Sequence, residues 1–145
     1  MLAAIFYLFG VYFIWHELIW IISPSFKAKE ARKFFEAHKE HVGKKWGDLP
    51  ESYREIILSH LGVIFITLWM FFGLFSSQWI GFLFMLVLNL FIVAPISKLV
   101  RDTWIYIPLH WINSVIGFAF GIFVIINHYH LKLDLTQMFF SFVGV

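Results

Sequence analysis

The chain has no cysteine among its 145 residues. That absence excludes disulfides, thiolate metal ligands and cysteine nucleophiles. Charge is also scarce. Asp, Glu, Lys and Arg make up 14% of the sequence, against about 25% in an ordinary soluble domain. There is no glycine-rich phosphate loop, no internal repeat and no low-complexity tract. No run of basic residues interleaved with stacking aromatics points to nucleic acid, so a nucleic-acid partner is not expected. What remains is apolar: 61% of residues are hydrophobic and 21% aromatic, with 19 Phe and 7 Trp. A soluble domain of this size cannot bury that much apolar surface, and the expected partner is a lipid bilayer.

Four apolar stretches organise the chain, at about 2–22, 56–75, 79–97 and 104–127. Each is close to the ~20 residues a helix needs to cross ~30 Å of hydrocarbon. The first lacks a basic leader and a small-residue cleavage pattern, and a basic segment follows it, so a retained span is expected rather than a signal peptide. Trp15, Trp20, Trp79 and Trp104 fall near span ends, where aromatic anchors belong. Lys and Arg are distributed unevenly. Residues 23–55 hold Lys27, Lys29, Arg32, Lys33, Lys39, Lys44, Lys45 and Arg54, and the connection after the third span holds Lys98 and Arg101. The turn at Ser76, Ser77 and Gln78 holds none, and the tail holds only Lys132. The positive-inside rule then places 23–55 in the cytoplasm or matrix and both termini outside. The fold class expected is an all-α, polytopic four-span bundle forming a single membrane domain, in a bacterial inner membrane or an organellar inner membrane.

The segment 23–55 reads as ordered. Ser23-Pro24 has the form of a helix N-cap followed by a first-turn proline. Ala28, Ala31, Phe34, Phe35, His38 and Val42 share one face at helical spacing, while Lys29, Arg32, Lys33, Glu36, Lys39 and Glu40 share the other. Gly43 suits a helix stop. An amphipathic helix at the cytoplasmic interface is expected, its apolar face toward lipid, a partner or the protein's own helices. Asp48-Leu49-Pro50-Glu51 reads as a second start, running into span two.

Polar residues inside spans are costly and usually face protein or water. His16, His60 and His110 each lie four to six residues from the basic end of their spans, roughly 6–9 Å deep at 1.5 Å per residue. Glu17 and Asn113 join this layer. Such imidazoles suit haem b or a divalent metal, with Glu17 as ligand or acceptor, or a proton relay. The plainer alternative is an interhelical hydrogen-bond layer. On span four, Thr103, His110, Asn113, Ser114, Gly117, Gly121 and His128 form one stripe, with Gly117 and Gly121 spaced for close helix approach. Ile112, Phe118, Ile122 and Ile126 lie opposite. Gln78, Gly81, Met85 and Asn89 share a side of span three.

In the tail, 128–145, Tyr129, Leu131, Leu133 and Leu135 alternate with polar residues, the period of an extended strand. Asp134 and Gln137 also have capping-box spacing for a short helix over 138–143. His128-x-His130 is a possible metal pair, though more often such a pair sits at a wet surface. The function expected is a small, non-enzymatic subunit or accessory of a larger membrane complex. Phe34, Phe35, Tyr129, Leu131 and Leu133 would dock on other membrane subunits. The alternative is a redox or proton/ion transport component built on His16, His60 and His110.

Overall fold

Apolar runs of the right length fold as helices throughout, in a computed structural model that describes residues 2–144, the side chains of Leu2, Ala3 and Ser59 aside. No strand occurs among the described residues. Among the described residues six longer helices follow in order, with a single 3-10 turn at Trp46–Asp48 between the second and third: α1 (Leu2–Ile22), α2 (Pro24–His41), α3 (Glu51–Gly73), α4 (Trp79–Val100), α5 (Tyr106–Leu131) and α6 (Leu135–Val143). Four of them, α1, α3, α4 and α5, are long and apolar enough to cross a membrane.

These four form an antiparallel bundle in the ring order α1–α3–α4–α5. Successive contacts fix each direction. Phe6 and Phe13 pack on Trp69, and Phe9 stacks on Phe65. Phe82 meets Trp69 on one side and Phe120 on the other. Tyr7 packs on His128 at one end, and Trp20 stacks on His110 at the other. The main core is Phe13, Trp69, Met70, Phe82, Met85 and Val124. In lipid, apolar transfer gives little net drive for helix association, so close van der Waals packing of this kind holds helices together.

α4 is not uniformly α-helical. A wider π turn occupies Leu88–Val93. Pro95 has no N–H, and its ring crowds the carbonyl four residues earlier. A π turn just before it relieves both problems. The amide of Asn89 donates to the Met85 carbonyl at 2.8 Å, supporting the bend.

α2 lies across the basic end of the bundle. Pro24 starts it, although the Ser23 side chain makes no capping hydrogen bond. Gly43 ends it at φ 83°, a left-handed conformation that glycine adopts without steric cost. Ala28 is buried against Trp20 and Tyr106. Phe34 stacks on His60, and His38 bonds to the Tyr53 hydroxyl at 2.9 Å. Part of the apolar face of α2, at Ala28, Phe34 and His38, therefore packs on its own bundle, while Phe35 and Val42 stay exposed. Two expectations change as a result. Arg32, placed on the solvent face by periodicity, lies over the Tyr106 ring. Trp20, expected as an interfacial anchor, is a buried packing residue.

The tail differs most from its sequence pattern. The helix does not stop at 127 but continues through a π turn, Asn127–Leu131. Asn127 is buried and exchanges two hydrogen bonds with the backbone of Leu133, at 3.1 and 2.8 Å. The Lys132 N–H donates to the Asn127 carbonyl, and Lys132 itself is left-handed at φ 50°. These bonds override the alternation of Tyr129, Leu131, Leu133 and Leu135, so the extended strand is replaced by a helix end and a tight turn. Asp134 then caps α6, accepting from Thr136 N and Gln137 N.

Candidate functional site

Near the basic end, α1 and α5 pack tightly enough to enclose a carboxylate. Glu17 is the one acidic residue in the four long apolar runs, and it is buried. One reason is opposite it. A Cβ added at Gly117 would lie 3.2 Å from Glu17 Cγ and 3.4 Å from its carboxyl carbon. The missing side chain of Gly117 thus lets Phe13 and Glu17 approach the α5 backbone closely. Four residues on, a Cβ at Gly121 would lie 2.6 Å from Ile14 Cγ1. Ser114, Gly117 and Gly121 form a buried stripe toward α1.

The carboxylate is partnered. His16 Nδ1 lies 3.0 Å from Glu17 Oε1. The two side chains diverge by about 100° at the backbone, but the flexible carboxylate arm closes the gap. His110 faces the same stretch of α1 through Trp20, three residues beyond Glu17. The imidazole of His110 lies 5.0 Å from the Trp20 ring and 4.4 Å from the Tyr106 ring. Its Nε2 is 2.9 Å from the Ser97 hydroxyl. Deeper in the bundle, Asn113 donates to Asn89 Oδ1 at 3.0 Å, and Asn89 donates onward to Met85. The Asn113 carbonyl oxygen is buried without a hydrogen-bond partner among the described residues.

His60 belongs elsewhere. Its Nδ1–H donates to the Ile56 carbonyl at 2.9 Å, and its ring stacks on Phe34 at 4.3 Å. It lines a separate groove of about 300 Å³ with Phe26, Lys29, Glu30, Lys33 and Ile56. The common layer of His16, His60 and His110 is therefore split into two environments. Among the described residues, no three His, Asp or Glu side chains are placed to hold one metal ion. His128 packs against Tyr7 in a tilted arrangement and meets Tyr129 edge to face. Of the residues expected at a docking face, Phe34 is turned inward onto His60, while Phe35 is 39% exposed beside Arg101. Tyr129, Leu131 and Leu133 are exposed.

Ser97, Trp20 and Tyr106 are parts of the site that residue-by-residue polarity does not reveal. Tyr106 and His110 are one helical turn apart, and Trp20 is three residues from Glu17, so helical spacing alone groups each pair. Ser97 carries no such signal, since its pairing crosses from α4 to α5. Chemically, the Glu17–His16 hydrogen bond gives the buried carboxylate a partner, which lowers the cost of keeping it in an apolar bundle.

No protein-family model matches this chain, and no curated protein or solved structure matches it significantly.

Proposed function

We propose that the chain is a membrane-embedded, non-enzymatic subunit that packs against other subunits of a larger membrane complex. The observation that carries this reading is the tail. α6 has nine residues, about 13 Å at 1.5 Å per residue, too short to cross a bilayer. It is nonetheless held firmly. Asp134 caps it, Asn127 ties down its approach, and Thr136 accepts from the Trp79 indole at 2.8 Å. What this fixed helix presents is apolar: Met138 is 54% exposed and Phe142 90% exposed. Beside it lie Tyr129, Leu131 and Leu133, also exposed. A rigid apolar surface lowers the ordering cost of binding, and clustered aromatics are typical anchors at interfaces.

Gentle extraction followed by native mass measurement tests the reading. The expected result is a complex of fixed stoichiometry with other membrane chains, lost in a Met138→Asp/Phe142→Asp variant and on deletion of 131–145. Recovery of the wild-type chain as a stable monomer, or of the same complex without its tail, would refute the subunit reading.

A second reading, proton handling, is favoured by the buried Glu17 carboxylate paired with His16. Ionisable groups among spanning helices commonly mark proton or ion pathways. It requires an infrared carboxyl band that responds to pH and vanishes in Glu17→Gln. Identical difference spectra for the two proteins would rule it out.

A further inference from the structure

We propose that the groove between α2 and the start of α3 binds the phosphate headgroup of an anionic phospholipid. On α2, Phe26, Lys29, Glu30 and Lys33 occupy positions i, i+3, i+4 and i+7, a single stripe along the helix. On α3, Ile56 and His60 form the facing stripe, and the six residues enclose the groove of about 300 Å³. The two helices are held at this separation by the Phe34–His60 stack and the His38–Tyr53 hydrogen bond.

The charge of the groove suits an anion. Glu30 is neutralised by Lys27, whose Nζ lies 3.1 Å from its carboxylate. Among the described residues no ion pair engages Lys29 or Lys33. Two ammonium groups one helical turn apart are left facing the same space.

The surroundings favour a lipid over a soluble anion. The groove opens at the end of the apolar bundle, where headgroups lie if the four long helices span a bilayer. Its lining includes Ile56 and the 58% exposed Phe26. The α3 stripe continues past His60 through Val63 and Ile64, 46% and 53% exposed. Thr67, the next polar residue on that line, keeps its hydroxyl on the Val63 carbonyl. A ligand seated in the groove thus meets ammonium groups at its head and the exposed apolar side chains of Val63 and Ile64 below, the order of chemistry along a phospholipid. The basic end is also the one expected at the cytoplasmic leaflet, where anionic lipids concentrate. This inference rests on membrane insertion but not on the subunit reading.

The test uses the full chain purified in a neutral detergent. Native mass spectrometry would compare retention of phosphatidylglycerol and phosphatidylcholine by the wild type, Lys29→Gln/Lys33→Gln, and a charge-matched control, Lys39→Gln/Lys44→Gln. All four lysines are exposed, and glutamine keeps comparable helix propensity, so thermal unfolding without lipid should be unchanged. The groove variant should lose phosphatidylglycerol about thirtyfold, from ~1 kcal/mol per basic residue at an anionic surface. The control variant should bind as the wild type does, and inorganic phosphate at millimolar concentration should not compete. Equal losses in the two variants would mean diffuse charge attraction and overturn the site. Equal retention of the two lipids, or displacement by inorganic phosphate, would overturn it as well.

Discussion

Gly117 and Gly121 show how a residue with no side chain can decide where a charged one goes. Phe13, Ile14 and Glu17 of α1 occupy the volume that larger residues would need. Gly121→Leu should be the more damaging change, because Ile14 Cγ1 already lies 2.6 Å from the site of an added Cβ. Overpacking a tight contact typically costs ~1–3 kcal/mol. We therefore expect a lower unfolding midpoint in detergent for Gly121→Leu, and a smaller loss for Gly121→Ala. Gly117→Leu should also displace Glu17, adding the cost of moving a buried polar group. If both leucine variants unfold at the wild-type midpoint, α1 and α5 do not pack through this stripe. The stripe was visible in the small-residue spacing of the sequence. That it would receive Glu17 was not, because spacing does not name the partner helix.

Among the elements, the tail helix shows a local signal competing with another local signal. Period-two alternation across Tyr129–Thr136 suggests a strand, yet Asp134 and Gln137 have the spacing of a helix start. Alternation stabilises only a strand that finds a neighbour to pair with. Hydrogen bonds from Asp134 and Asn127 need no such neighbour, and they determine the backbone. Asp134→Ala should weaken α6 by ~1 kcal/mol, the usual worth of an N-cap. Hydrogen exchange over 135–143 should quicken accordingly, while Asp134→Asn should restore protection. Unchanged exchange in Asp134→Ala would mean that the Trp79–Thr136 bond suffices to hold the helix. The π turn in α4 was less legible. Pro95 announces a disturbance, but not that it would be spread over Leu88–Val93 with Asn89 as its support.

For the whole molecule, the antiparallel order of four long helices puts Ser25 at the basic end and Ser77 at the opposite end. If the chain spans a bilayer in this arrangement, single cysteines introduced as Ser25→Cys and Ser77→Cys should react with an impermeant reagent from opposite faces of intact vesicles. The positive-inside rule further expects Ser25 on the cytoplasmic face. Labelling of both positions from one face would contradict a four-span topology. The native parent has no cysteine, so neither measurement carries a background.

Length, helix count and charge asymmetry were determined by the sequence alone. Four apolar runs have the right number of residues to become long helices, and Lys and Arg gather at alternate connections. These are properties of position along the chain, which a helix converts to distance at 1.5 Å per residue. The distance of His16, His60 and His110 from the basic ends of their helices follows from the same conversion. Their surroundings do not. Each residue turns a helix by 100°, and the rotation of each helix about its axis is settled only by which side chains interdigitate. Packing of Gly117 against Glu17 set that rotation for α1 and α5, burying Glu17 at the small-residue stripe and placing His110 on Trp20. Packing of Phe34 on His60 set it where α2 crosses α3, and drew the third histidine of the layer into a different groove.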